Sequence, residues 1–197
     1  MNLLQVDSSI LGQASASREL TRAIVARLKA QEPGLRLTYR DLAADPLSHY
    51  SAESLSGQDP AAAARDAAAL EEFLAADVIV IGAPLYNFSL PSQLKAWIDR
   101  ISIKGRTFRY GPQGPEGLAG GRRVIVALSR GGVYEPGAGT EFGESYLRFL
   151  FGFLGITDLT FVRAEGLNIS PEQRAASLTG AHTAIAGLSR NRAALAA

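Results

Sequence analysis

Cysteine is absent from this chain of 197 residues. Its absence excludes disulfides, thiolate nucleophiles and cysteine metal clusters, and is compatible with a reducing cytosol. Any redox chemistry must then come from a bound cofactor. Histidine is scarce as well: His49 and His182 lie far apart in the sequence, each without an acidic or histidine neighbour at ligand spacing, so no metal site is assigned. Nor is one sign of charge in excess. With 20 Lys and Arg against 19 Asp and Glu, the formal net charge is +1, and no basic block of the kind that neutralises a phosphate backbone stands out. Nucleic acid is not expected as a partner. Apolar runs of membrane length are missing, the longest being of strand length, and the N-terminal MNLLQVDSS lacks the basic region and long apolar core of a signal peptide. The expectation is a cytoplasmic protein that does not engage a membrane.

What is present reads as globular. Hydrophobic residues make up 47% and charged residues 20%, and the length suits one domain, residues 1–197, with a full core. Apolar runs predict strands at Leu3 to Val6, Arg36 to Tyr39, Val78 to Ala83, Val124 to Ser129 and Leu159 to Val162, with Ala164 as a ragged end. Helical patterns lie between them. Ser17 is placed to cap a helix with Leu20, Ile24 and Leu28 on one face, running to Pro33-Gly34. Ala61 to Ala76 is helical by propensity, with Leu70, Phe73 and Leu74 facing inward. Leu90, Leu94, Trp97, Ile98 and Ile101 form a buried stripe, and Ser170, Pro171 and Gln173 open a C-terminal helix. The alternation predicts an α/β fold: a three-layer, doubly wound, parallel five-stranded sheet with right-handed crossovers. One region breaks it. Residues 105–121, GRTFRYGPQGPEGLAGG, predict a short projecting hairpin or lid, and residues 49–60 a plain connection.

In such a sheet the loops after the first, third and fourth strands gather at one edge. The first runs from Ser8 through Ser15-Ala16-Ser17 into a helix N-terminus, an arrangement that suits an anion and equally suits a serine-rich helix cap. It is not a standard phosphate fingerprint, because GxGxxG is missing from this turn and GxxxxGK[ST] from the whole chain. The second candidate loop follows the unbroken apolar run DVIVIGAP and holds Leu85-Tyr86-Asn87-Phe88. Two aromatics and an amide suit a planar heterocycle, or pack beneath the next helix. The third, Ser129-Arg130-Gly131-Gly132, brings a hydroxyl, a cation and close backbone approach, or is an ordinary glycine turn.

Together, Ser9, Ser15-Ala16-Ser17, Leu85-Tyr86-Asn87-Phe88 and Ser129-Arg130-Gly131-Gly132 resemble the FMN-dependent NADH azoreductases and NAD(P)H:quinone reductases. The similarity runs nearly end to end. It takes in Arg40-Asp41-Leu42-Ala43, Thr107-Phe108-Arg109-Tyr110, Gly114-Pro115-Glu116-Gly117-Leu118 and Leu154-Gly155-Ile156-Thr157-Asp158. The resemblance implies a flavodoxin-like homodimer that binds FMN, its phosphate on Ser9 and Ser15 to Ser17 and its ring held by Leu85 to Phe88 and Ser129 to Gly132. It also implies a ping-pong reaction, in which hydride passes from NADH or NADPH through the flavin to a small quinone or an azo compound. The cofactor carries the electronic chemistry, so no catalytic acid or base is assigned to the protein.

This chain departs from the family pattern in places. Leu85 stands where many relatives have methionine, a change of similar volume. Residues 133–137 and 51–59 diverge and are expected to shape substrate choice. In the stretch Phe142 to Leu154, residues Phe142, Tyr146, Phe149, Leu150, Phe153 and Leu154 read as one stripe with Leu147 and Phe151 outside it, more apolar surface than one core face needs. That surplus points to an interface, with Phe149 or Phe151 toward the partner. Two other readings compete. A flavodoxin-type electron carrier or flavin-binding sensor would use the same pocket, but such carriers tend to be strongly acidic. A serine hydrolase or transferase lacks both a recognisable base and a GxSxG elbow.

Overall fold

The computed structural model describes residues 1–56, 58–134 and 140–189. Strands β1 (Asn2–Asp7), β2 (Arg36–Asp41), β3 (Val78–Pro84), β6 (Arg123–Ser129) and β7 (Asp158–Ala164) form one sheet in the order β2-β1-β3-β6-β7, with every neighbouring pair parallel. Two further strands, β4 (Phe108–Gly111) and β5 (Gly114–Gly117), pair antiparallel as the projecting hairpin that the Gly/Pro pattern predicts.

The unbroken apolar runs are explained by strand geometry. Side chains alternate across the sheet, so a strand covered on both faces must be apolar at every position. Leu4, Val6, Ile79, Ile81, Val124 and Val126 enter one core together with helices α3 (Pro60–Ala75), α4 (Ser92–Ile101) and α5 (Gly143–Phe153). Leu3, Val78, Val80, Ile125 and Ala127 enter the other, beneath α1 (Ala16–Gln31) and α6 (Pro171–Ala186). Helix α4 buries Leu94, Trp97, Ile98 and Ile101 as its spacing requires, with Trp97 edge-on to Phe73 of α3. Strand β2 lies at the sheet edge, and its alternate residues Leu37 and Tyr39 stay exposed.

Three local details differ from the sequence reading. The cap of α1 is Ser15, whose hydroxyl accepts from the Arg18 N–H; Ser17 is already helical. A short helix, α2 (Ala52–Ser56), stands where the sequence reads as plain connection, stabilised by Ser51 and Ser54 bonding one another's backbones. Helix α5 buries a stripe that only partly overlaps the one read from its sequence. Leu147, Leu150 and Phe151, with Leu154 at the C-cap, are buried at i, i+3, i+4, i+7 spacing, so Leu150 and Leu154 are as expected, Leu147 and Phe151 join them, and Phe149 is 73% exposed. Of the aromatic residues here, Phe151 is in the core, Tyr146 and Phe153 pack half-buried against it, and Phe142 and Phe149 are exposed.

The hairpin is anchored by glycine. A Cβ on Gly117 would lie 2.1 Å from the Gly155 nitrogen and 2.3 Å from the Leu154 carbonyl carbon. Those are backbone atoms and cannot swing aside. Replacing Gly117 with alanine is therefore expected to cost about 1 to 3 kcal/mol, as overpacking does, read as a lower urea midpoint in chemical unfolding.

Candidate functional site

The loops after β1, β3 and β6 meet at the carboxyl edge, beside the point where the strand order reverses between β1 and β3. On the β1 side, Ser8 turns inward and donates to the Gly82 carbonyl, 2.7 Å, leaving Ser9 to face the loop. The Ser9 hydroxyl lies 3.2 Å from the Tyr86 hydroxyl and accepts from the Leu11 N–H, while the Ile10 N–H donates to Tyr86 Oη at 3.3 Å. Tyr86 thus ties the β3 loop to the β1 loop. The Ser15 and Ser17 hydroxyls are 3.1 Å apart at the start of α1. Helix geometry leaves the N–H groups of Ala16 and Ser17 without carbonyl partners in their own helix, so hydroxyls, amides and the positive helix end converge.

On the β3 side the backbone is strained. Tyr86 and Ser89 exchange both backbone hydrogen bonds, and the two residues between them, Asn87 and Phe88, have φ of 48° and 68°. A two-residue turn of this type needs both central residues in the left-handed region, which Asn tolerates and a phenylalanine rarely adopts. The turn holds both side chains in solvent, with Phe88 edge-on to Tyr134. The Leu85 N–H donates to the Ser129 carbonyl at 2.8 Å, joining this loop to the one after β6. There the carbonyls of Arg130, Gly131 and Gly132 accept from Leu167, Asn168 and Gly166. Asn168, which sequence reasoning passed over, lies so close that a Cβ on Gly131 would meet its Nδ2 at 2.6 Å.

Arg130 differs from the expectation of a cation offered to a ligand. Its side chain is 5% exposed and ion-paired with Glu165 at 2.7 Å, Glu144 at 3.2 Å and Glu141 at 3.3 Å. Glu144 in turn binds Arg148 and Arg163, and the hydrogen bonds from these arginines hold its carboxyl below the usual range against burial, which opposes them as the largest single influence. The guanidinium fastens the β6 loop to α5 and to the end of β7, and the Arg130 backbone is bonded to Ala164 and Leu167 as well, so Arg130 braces the loop and does not face a ligand with its charge. Of the divergent stretch 133–137, residues 135–137 lie outside the described residues, and so does residue 57 of the other.

A cavity of about 620 Å³ opens on the other side of the β1 loop, lined by Asp7, Ser9, Gln13, Arg18, Tyr39 and Asp41 among others. Its floor is a polar network. Asp7 is buried and accepts from Thr21 at 2.8 Å and Gln5 at 3.0 Å; burial raises its pKa despite those bonds. Asp41 is held low by its hydrogen bond with Arg18, and burial together with the neighbouring carboxylates pushes Tyr39 up to about 12. Gly82 is required here, because a Cβ on it would come within 2.7 Å of Asp7 Oδ1. The signals for this network were a carboxylate at each of two strand ends and an arginine in the first helical turn.

Comparison with known proteins places these features. A family model described as flavodoxin-like fold matches residues 1–188. The chain is 57% identical over 189 residues to the FMN-dependent NADH:quinone oxidoreductase of Xanthomonas oryzae pv. oryzae (strain MAFF 311018), covering 95% of each chain. Among solved structures, the azoreductase from Bacillus anthracis str. Sterne superposes with a TM-score of 0.86 at 29% identity, over 94% of this chain and 97% of that one. The FMN-dependent NADH-azoreductase from Bacillus anthracis str. Ames Ancestor, in complex with FMN, has a TM-score of 0.84 at 26% identity, over 94% and 98% of the two chains.

The buried Asp7 gives a pH signature. Its folded pKa is raised above the unfolded 3.8, so the ionised form weakens the fold above the folded pKa, and that cost disappears as pH falls below the unfolded value. Asp7→Asn removes the charge, and Gln5 can rotate its amide to accept from the new NH₂ group. The variant should have a higher urea midpoint than the parent at neutral pH, with the difference closing toward pH 3; a difference that widens in acid would contradict the assignment.

Proposed function

This chain belongs to the flavodoxin-like fold family, and from that membership we propose that it is an FMN-dependent NADH:quinone oxidoreductase. The observation that carries the reading is the meeting of two unlike half-sites at one sheet edge. One is a set of hydroxyl and amide donors at a helix N-terminus, and the other is a pair of loops with aromatic edges and a braced glycine backbone, joined by the Leu85 to Ser129 hydrogen bond. When bound, FMN would supply the redox chemistry, hydride transfer from NADH or NADPH to a quinone or aromatic azo compound in ping-pong order.

The donor set fits the phosphate. Ser9, Ser15 and Ser17 are buried hydroxyls, and Ala16 and Ser17 supply helix N-terminal amides, which favour a dianion without a lysine or arginine in contact. The ring falls to Leu85, Tyr86, Asn87 and Phe88 on one side and to the backbone of Ser129, Arg130, Gly131 and Gly132 on the other. Asn87 brings an amide that can both donate and accept, as the edge of a flavin requires. These residues bind and orient, and the burial of the strands behind them keeps water from the inner face. A flavodoxin-type carrier or flavin-binding sensor is less well supported: with a net charge of +1 the chain is not strongly acidic, as such carriers tend to be, and the relatives named above are oxidoreductases.

We further propose a cytoplasmic homodimer. Phe142, Phe149 and Tyr110 are exposed, and Phe149, Phe153, Phe108 and Tyr110 contact one another in sequence to form an aromatic ridge from α5 to the hairpin. Such a patch is characteristic of an interface. Phe151 is fully buried in its own core, so Phe149 is the aromatic residue of this pair that faces a partner. Among the described residues no helix is long and apolar enough to cross a membrane.

The FMN-loaded protein should oxidise NADH or NADPH with a quinone acceptor and give parallel double-reciprocal lines; flavin binding without turnover would favour the carrier. Asn87→Gly keeps the left-handed turn but removes the amide. It should weaken FMN binding by about 1 to 3 kcal/mol while leaving thermal unfolding of the flavin-free chain nearly unchanged. Light scattering should give twice the chain mass, and Phe149→Ser should shift the protein toward one chain.

A further inference from the structure

Arg18 sits in the first turn of α1 with its side chain almost wholly buried. Nε and Nη2 both donate to the Ser9 carbonyl, at 3.1 and 2.8 Å. Nη1 and Nη2 grip the two oxygens of Asp41, each at 2.7 Å, and Nη1 also reaches the Tyr39 hydroxyl at 3.1 Å. A guanidinium has five N–H donors, and all five are used. Asp41 is itself pinned, its Oδ1 accepting from the N–H groups of Ala43 and Ala44. Arg18 therefore has no donor left for a ligand, and its charge is matched locally. The neighbouring cavity takes its polar floor from this same saturated network.

The orientation of one peptide follows from this clamp. In a trans peptide the C=O and N–H point in opposite directions. With the Ser9 carbonyl drawn toward Arg18, the Ile10 N–H must point the other way, and it is found donating to Tyr86 Oη, which itself lies 3.2 Å from the Ser9 hydroxyl. Side-chain packing does not fix this peptide, because Ile10 and Leu11 are 64% and 58% exposed. Buried ion pairs add little net stability, so this one calls for another role.

We propose that Arg18 and Asp41 are a positioning pair for the cofactor phosphate: by holding the Ser9 carbonyl, they aim the Ile10 N–H into the phosphate site. The inference rests on the FMN reading above. It separates the phosphate from the ring, since riboflavin lacks the phosphate and should not sense the clamp.

The test measures FMN and riboflavin dissociation constants by flavin fluorescence for the parent, for Arg18→Met/Asp41→Asn, which removes both charges together, and for Asp41→Asn alone. The ratio of FMN to riboflavin affinity should fall by about tenfold or more in the double variant, the size of one lost hydrogen bond to a charged group, with riboflavin affinity unchanged. Asp41→Asn should lower the ratio by a smaller factor, and it decides the matter if the double variant does not unfold cooperatively. A ratio equal to the parent's, or a parallel loss of both affinities, overturns the positioning role. A parent that binds neither flavin overturns the functional reading and this inference with it.

Discussion

Every part of the site depends on the parallel ladder that joins β1, β3 and β6. Their backbone groups are shut away from water on both faces, so each N–H and C=O must find its partner in the neighbouring strand. Register is then fixed to the residue: Asp7 lies beside Gly82, and Pro84 beside Ser129. β3 and β6 end level at Pro84 and Ser129, and β1 ends two residues earlier, at Asp7 opposite Gly82, so the three loops emerge at the same edge. The Leu85 to Ser129 hydrogen bond simply continues the ladder for one step beyond the sheet. The candidate ring loops are therefore extensions of the most rigid element in the molecule, as accurate positioning requires.

Buried arginines extend that order to the irregular segments. Arg18 joins the β1 loop to the end of β2, Arg130 joins the β6 loop to α5 and β7, and Arg100 joins α4 to Asp66 of α3 and to the Ser48 carbonyl, with Tyr50 stacked on its guanidinium. Each adds a side-chain tie between elements at a point where the chain leaves regular structure. The guanidinium suits this work because it is planar, always charged and carries donors on three sides. A near-neutral composition thus conceals strong local electrostatics. The charges of these three arginines are matched by carboxylates beside them.

Most of the fold was legible in the sequence because it rests on periodicity. The five parallel strands, the hairpin and the stripe on α4 all announce themselves by spacing. The inner face of α5 did not, since apolar residues run around most of the helix and the spacing alone does not tell that Leu147 and Phe151 complete the buried stripe while Phe149 stays outside. The same limit applies at the site. The loops could be found from residue types, but the inward turn of Arg130, the reach of Tyr86 to Ser9 and the Arg18 clamp depend on side-chain directions that join residues far apart in the chain. Asn87 and Phe88 were picked out as contact residues, yet their left-handed backbone gave no signal, because Phe is a poor predictor of that conformation.

The close approach of Gly82 to Asp7 also limits how this sequence can drift. Any side chain at position 82 requires the carboxylate at position 7 to be shortened or redirected and the Thr21 methyl, 3.2 Å away, to give, whereas a change at 7 alone is compatible with glycine at 82. The order of substitutions is thereby directional: position 7 must move first. Two residues with no shared chemistry, one on each of two adjacent strands, are expected to vary as a linked pair in descendants of this chain.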